Sequence, residues 1–292
     1  MFGLISFMDA QLRTLDTAEA TTHYEKSKLG GSGSLWRMSA IARNAFREAV
    51  RDRVLYNLVL FVMLLTAASI FIGELSGGQE RKVIVDLGLS AMLLFGMFIA
   101  IFVGVGLVYK EIERRTIYAV FSKPVGRGEF LVGKYLGLCL TLLVNVLVMG
   151  VGVSLALLYI SRGWDPLIPT IWPAVFLIYL ELMLLTAVAL LFSSFSSPAL
   201  SALLTFLVFV IGHFSADLKA LAGSLGSAGA RWFFTGLYYL LPNLSNYSFI
   251  TPAAHGRTPD ASFVFVTALY ALVYIAVILA AATLIFSRRN FK

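Results

Sequence analysis

The stretch LGLSAMLLFGMFIAIFVGVGLVY, residues 87–109, runs for 23 residues without a charged side chain. A helix needs about 20 apolar residues to cross roughly 30 Å of hydrocarbon, and this segment has that length. It shows no alternation of apolar and polar positions, the signature of a membrane β-strand. In lipid every backbone N–H and C=O must find its partner within the protein, so a segment of this kind is a helix. Five more uncharged or nearly uncharged stretches share its character: 55–73, 135–160, 171–195, 199–214 and 263–286. The stretch 199–214 is the shortest, and it gains length by taking in Ser196 to Pro198. The chain of 292 residues is 59% hydrophobic and only 13% charged, with a mean hydropathy of +0.85. A soluble domain carries about twice that charge, so water is not the solvent for most of these side chains.

Lys and Arg orient the spans. Residues 1–54 hold eight, the loop 110–134 holds six and residues 287–292 hold three, whereas the loops after the first, third and fifth spans hold two, one and three. Alternate loops thus separate into a basic set of 17 and a poor set of 6. The basic set faces the cytoplasm, with both termini. The net charge of +7 follows from cytoplasmic anchoring and anionic lipid and argues nothing about nucleic acid.

Outside the spans, residues 1–35 read as a flexible N-terminal tail ending in the linker-like Gly30-Gly31-Ser32-Gly33-Ser34; one hypothesis starts the native chain at Met38. Residues 36–54 read as a basic amphipathic helix. Arg43, Arg47 and Arg51 recur along one face, and Met38, Ile41, Ala45 and Ala49 along another, as in helices that lie in the headgroup layer. The alternative is a solvated extension of the first span. RWFFTGLYYLL, residues 231–241, is apolar and aromatic but too short to cross, and Pro242, Asn243 and Asn246 end it. It reads as an interfacial or re-entrant helix; as a seventh span it would carry Arg288 and Arg289 to the outside, against the charge rule. Its aromatic residues (Trp232, Phe233, Phe234, Tyr238, Tyr239, with Tyr247) suit an interfacial belt or a lipid-facing gate. Leu218, Leu221, Ala222 and Leu225 suggest a further short amphipathic helix on the outer surface.

Residues 110–134, KEIERRTIYAVFSKPVGRGEFLVGK, form the most informative loop. Glu111 and Arg115 stand four apart in the favourable order for a helix. Ile117, Val120 and Phe121 make an apolar patch, Lys123-Pro124 breaks the helix, and Gly126 and Gly128 turn the chain. Apolar anchors inside a charged rim suit docking to a protein partner, although an ordinary solvated loop has a similar composition.

These segments carry a resemblance. IARNAFREAVRDRVLYNLVLF (41–61), KEIERRTIYAVFSKPVGRGEFLVGKYLG (110–137) and LYYLLPNLSNYSF (237–249) resemble the permease subunit of ABC-2-type transporters. The resemblance covers about residues 38–292, and it leans toward the subgroup associated with multicopper-enzyme maturation, which includes the permease of nitrous-oxide-reductase assembly. It implies an all-α polytopic protein with six transmembrane helices over 55–286, an N-terminal interfacial connecting helix over 36–54, a cytoplasmic coupling helix, short outer-face interfacial or re-entrant helices, and a cytoplasmic C-terminal tail, 287–292. It implies that Glu111, Glu113, Arg114, Arg115, Thr116, Ile117, Val120, Phe121 and Lys123 couple to an ATPase subunit. It implies two ATPase copies carrying ATP and Mg, and a second permease copy, identical or not. The setting implied is a bacterial inner membrane, and the activity is export by a chain that is not itself an enzyme and binds no cofactor.

Four features need separate weighing. Leu75-Ser76-Gly77-Gly78-Gln79 spells the signature of ABC ATPase domains, but it lies in an outer loop and no GxxxxGK[ST] accompanies it, so it reads as coincidence. Glu181 is the only acidic residue within a span. It reads either as a substrate or proton contact or as a structural group, protonated or bonded to a neighbouring helix through a residue such as Asn145. His213, at the outer end of the fifth span, reads as a partly wetted structural histidine, and with His23 and His255 it makes no metal-ligand spacing. Cys139, the single cysteine, reads as a small buried side chain. Two other classes stay open beside a transporter: an integral membrane enzyme acting on lipid, with Glu181 or His213 as base, and a scaffold that recruits soluble partners.

Overall fold

A computed structural model describes residues 31–49, 60, 61, 64, 68, 79–113, 126–215 and 228–288. Among them the chain forms helices and turns only, as backbone satisfaction in lipid requires. The helices are α1 (Gly31–Ala49), α2 (Glu80–Glu113), α3 (Arg127–Ile160), α4 (Ile168–Ser193), α5 (Pro198–His213), α6 (Ala228–Leu240), α7 (Ile250–Ala254) and α8 (Ala261–Arg288), with a 3-10 turn at Leu244–Tyr247. Four of them, α2, α3, α4 and α8, are long and apolar enough to cross a membrane, while α5 has 16 residues. The protein is therefore an all-α polytopic membrane protein. Of the span expected over 55–73, the described residues Leu60, Phe61, Leu64 and Ala68 are helical; Phe61 is buried with its ring edge-on to Phe95 of α2 at 6.1 Å. The expectations for residues 1–30, Arg51, Leu75–Gly78, Arg114 to Lys123, 218–225 and 289–292 lie outside the described residues.

Helix α4 is the axis of the bundle. It is apolar on every side, and a helix of that kind is buried all round. One of its flanks, with Ile171, Val175, Ile178 and Leu182, enters a core shared with α2 and α3. Another flank, with Leu177, Leu180, Leu184 and Val188, enters a core shared with α8, α3 and the 3-10 turn. Two hydroxyls tie α3 to α4: Tyr135 donates to the Met183 carbonyl at 3.3 Å and Tyr179 to the Cys139 carbonyl at 3.2 Å. Cys139 is buried there, as its surroundings in sequence suggest.

The helices outrun the apolar stretches that announce them. α2 begins at Glu80 because Ile84 and Val85 are buried on the same stripe as Leu89 and Met92, and an acidic residue in the first turn suits the helix dipole. α3 begins at Arg127, where the Glu129 carboxylate turns back to accept the Gly126 N–H at 3.3 Å. At the turn from α4 to α5, the hydroxyls of Ser193, Ser194 and Ser196 donate to the carbonyls of Leu190, Leu191 and Phe192 at 2.6–3.0 Å. They satisfy carbonyl groups at the end of α4, just ahead of Pro198.

The flexible linker expected at 30–34 is corrected in part, because α1 already includes Gly31 to Ser34. The tertiary contact that holds α1 offsets the conformational freedom of its glycines. The Arg37 guanidinium grips Glu129 of α3 with two hydrogen bonds, at 3.1 and 3.0 Å. Downstream, Ala45 is fully buried on α3. The close approach depends on Gly133 and Gly137: a Cβ at Gly137 would stand 2.5 Å from the Ala42 carbonyl oxygen and 2.6 Å from Ala45 Cβ. Small residues that let backbones meet are a recurring device of membrane helices.

The segment after α5 returns into the bundle. At about 1.5 Å per residue α5 is roughly 24 Å long, short of the ~30 Å of hydrocarbon. Beside its end, Gly212 lies against Leu244 and the Pro242 carbonyl, 2.7 and 2.9 Å from where a Cβ would be. The Leu240 carbonyl accepts from the Tyr274 hydroxyl at 2.6 Å, and the Asn243 N–H donates to the Tyr270 oxygen at 3.1 Å. Ser215 and Ser245 both donate to Asn243 Oδ1 at 2.6 Å. Irregular backbone at depth needs such partners.

The seam between α1 and α3 yields a direct test. Replacing Gly137 with Ala should lower the stability of the detergent-solubilised protein by about 1–3 kcal/mol, the cost of overpacking a fitted contact. Gly106→Ala on α2, where nothing lies within 4 Å of the added carbon, should be neutral or stabilising. Thermal unfolding of both variants checks the contrast.

Candidate functional site

At the centre of α4 stands Glu181, 0% exposed. Neither carboxylate oxygen has a hydrogen-bond partner. The nearest basic atom is Nδ1 of His213, 3.5 Å from Oε1. That nitrogen also lies 3.3 Å from the Phe209 carbonyl oxygen one turn back on α5, and the imidazole leans on the Phe209 ring with centroids 4.6 Å apart. His213 keeps 23% of its side chain exposed, whereas Glu181 has none. A carboxylate left bare in such a place is costly, so it is either protonated or paired with a cation.

Asn145 is also buried, on α3, but no hydrogen bond joins it to Glu181. Its Nδ2 donates to the Thr141 carbonyl at 2.8 Å and its Oδ1 is left without a partner. The cross-helix neighbour of the acid is thus His213. That pairing was reachable from register. Glu181 and His213 both stand 16 residues from Ser197, the turn of a tight antiparallel helix pair, and equidistant residues of such a pair meet. Reading each residue on its own span misses this.

On the side the charge rule assigns to the cytoplasm, Arg43 and Arg47 are exposed on α1, a turn apart, and line a shallow groove with Trp36, Ser39, Ala40 and Asn44. The opposite face of α1, with Ile41, Ala45 and Arg37, is the one that meets α3. Glu111 and Glu113 fall in the last turn of α2. They bring the chain to the start of the segment expected to couple to an ATPase.

At the other end, the turn between α3 and α4 is built on Asp165. Its carboxylate accepts from the Ser161 hydroxyl, from the Leu167 N–H at 2.8 Å and from the Arg81 guanidinium at 3.5 Å. Nearby, Thr251 of α7 donates to Asp86 of α2 at 3.3 Å. Burial works to raise the Asp165 pKa. The hydrogen bonds from Ser161 and Leu167 and the Arg81 charge outweigh it, holding the carboxyl below its ordinary range. The aromatic rings of Trp232, Phe233 and Tyr239 are exposed on α6. Gln79, the last residue of LSGGQ, immediately precedes α2. Among the described residues no three His, Cys, Asp or Glu side chains gather to hold a metal.

The architecture defines a class: a multi-pass helical membrane protein whose core holds one acid–imidazole contact. The family model described as ABC-2 family transporter protein matches residues 39–291. The chain belongs to that family, and so it is the membrane component of an ABC transporter. No curated protein matches it.

Asp165 gives a pH-dependent prediction. A carboxyl whose folded pKa lies below its unfolded value of about 3.9 stabilises the protein above that pH, and loses its contribution as pH falls through the folded value. Asp165→Asn should therefore lower stability near neutral pH, by on the order of 1–3 kcal/mol for a disrupted buried network. The gap to the unaltered protein should hold down to about pH 4 and narrow below it. Thermal unfolding of both proteins across that range reads this.

Proposed function

We propose that this chain is the permease subunit of an ATP-driven ABC-2 exporter, working as a pair of permease copies above two separate ATPase subunits that hold ATP and Mg. The family match over residues 39–291 carries the reading. The long apolar helices α2, α3, α4 and α8 and the basic end of the molecule support it. Glu111, Glu113, Arg114, Arg115, Thr116, Ile117, Val120, Phe121 and Lys123 form the coupling segment. Closure of the ATPase pair pushes this segment, and α1, gripped by Arg37–Glu129 and the glycine seam, moves with α3 as one body. Six spans place both termini in the cytoplasm of a bacterial inner membrane. α6 and the turn that follows it are re-entrant from the outer side: Tyr274, which holds the Leu240 carbonyl, stands 13 residues into α8, about 20 Å along it. Arg43, Arg47 and Arg51 face anionic headgroups or the ATPase along the cytoplasmic surface.

A mild-detergent pull-down of the full chain from its host should bring down an ABC ATPase in roughly stoichiometric amount. Reversing the charges of Arg114 and Arg115 together should lose that ATPase, or leave its ATP hydrolysis no longer stimulated by substrate. Retention of a normal complex with normal coupled turnover would refute the coupling assignment. The absence of any ATPase from a folded preparation would refute the exporter itself.

A further inference from the structure

The acid–imidazole contact in the bundle is built like a site rather than a strut. A structural ion pair in low dielectric closes to hydrogen-bond distance, about 2.7–2.9 Å between charged nitrogen and oxygen, and satisfies the remaining oxygen with other donors. Here Oε1 of Glu181 lies 3.5 Å from the imidazole and neither oxygen has a hydrogen bond. The pair is also asymmetric, with the acid fully buried and the imidazole 23% exposed. Because a carbonyl oxygen can only accept, the 3.3 Å contact to Phe209 requires a hydrogen on His213 Nδ1, so in the neutral ring Nε2 is the nitrogen without one. Ser215, two residues further on, belongs to a hydrogen-bonded polar group with Asn243 and Ser245.

We propose that Glu181 and His213 form a proton-binding site in the core of the membrane bundle, loaded from the outer side through His213. A proton from water adds to Nε2 of the imidazole. The proton on Nδ1 passes to Oε1 of Glu181, leaving a neutral carboxylic acid and a neutral imidazole with its hydrogen on Nε2. One proton enters and one is bound, and the reverse sequence releases it. The neutral acid is the form that a fully buried carboxyl without donors favours. The other ionisable side chains around the site are Tyr179 on α4, Tyr247 on the 3-10 turn, Tyr270 and Tyr274 on α8, and Tyr135, Cys139 and Lys134 on α3. α2 carries none from residue 87 to 106. The Tyr247 hydroxyl points to the Thr267 carbonyl at 3.5 Å, Tyr135 and Tyr179 bond carbonyls across the α3–α4 seam, and the Lys134 amine sits 5.8 Å over the Phe130 ring. The inference rests on these side chains and not on any ATPase partner. It is tested on the permease chain alone.

The test is infrared difference spectroscopy of the full chain in lipid nanodiscs between about pH 5 and 8, the range in which histidine ordinarily changes charge. The carboxylic C=O stretch is followed as H₂O is exchanged for D₂O. The proposal expects a protonated-carboxyl band that is absent from Glu181→Gln, and a deuterium exchange of that band slowed by about tenfold or more in His213→Phe, where only local opening admits solvent. Should Glu181→Gln fail to fold, ¹³C-glutamate labelling of the unaltered chain and of His213→Phe identifies the same band. No glutamate-dependent band anywhere in the range would mean a permanently ionised, structural Glu181 and would overturn the proposal. So would a band that exchanges equally fast in His213→Phe, since the proton then reaches Glu181 by another route.

Discussion

Helix α4 has no polar face to offer to solvent or to lipid headgroups, and it brings the one intramembrane acid with it. Both properties require neighbours on every side. α2 and α3 cover one flank, α8 and the 3-10 turn another, and α5 doubles back along it from the serine-rich turn at 193–197. The depth of burial is what makes Glu181 consequential. Inside the bundle, away from water, its carboxyl must be neutral or paired.

That burial has a second effect, on the short helix α5. A helix of 16 residues leaves part of the membrane thickness unspanned. Beside the end of α5, against Gly212, lies the segment that carries Asn243, Leu244 and Tyr247. Leu244 and Tyr247 are fully buried, and Asn243 gathers two serine hydroxyls and one tyrosine. Irregular backbone is stable at that position because side chains of α8 and the α5 terminus supply its hydrogen bonds. The same packing places a polar group beside His213, so the solution to a backbone problem also sets the environment of the acid–imidazole pair.

The end of the bundle that carries α1 follows a different logic. α1 is held on α3 by a two-point Arg37–Glu129 contact and by glycines that allow near contact of the backbones. This joins α1 closely to a long apolar helix. Motion delivered to one is delivered to the other, which suits a family whose membrane component answers to a soluble motor. Arg43 and Arg47 remain on the free face, available to lipid or protein. The turns at the other end are pinned in the opposite style, by the compact Asp165 network and by Thr251 on Asp86, which fix the ends of α2, α3 and α4 relative to one another.

Much of this was legible in residue order. Uncharged runs near 20 residues determine helices, because hydrocarbon leaves the backbone no other way to satisfy itself. The arginine spacing on α1, the serines at the end of α4 and the burial of Cys139 were also readable, since each depends on local periodicity or composition. Helix ends were less so: α2 and α3 start seven or eight residues before their apolar stretches, where charged and glycine residues are taken up by packing. Only the tertiary structure decided that α1 docks through Gly133 and Gly137, and that the turn at 244–247 closes over Gly212. These are contacts between segments distant in sequence. Their partners are chosen by the relative rotation and register of whole helices, a quantity set by the sum of side-chain packing across the bundle and written in no single stretch of the chain.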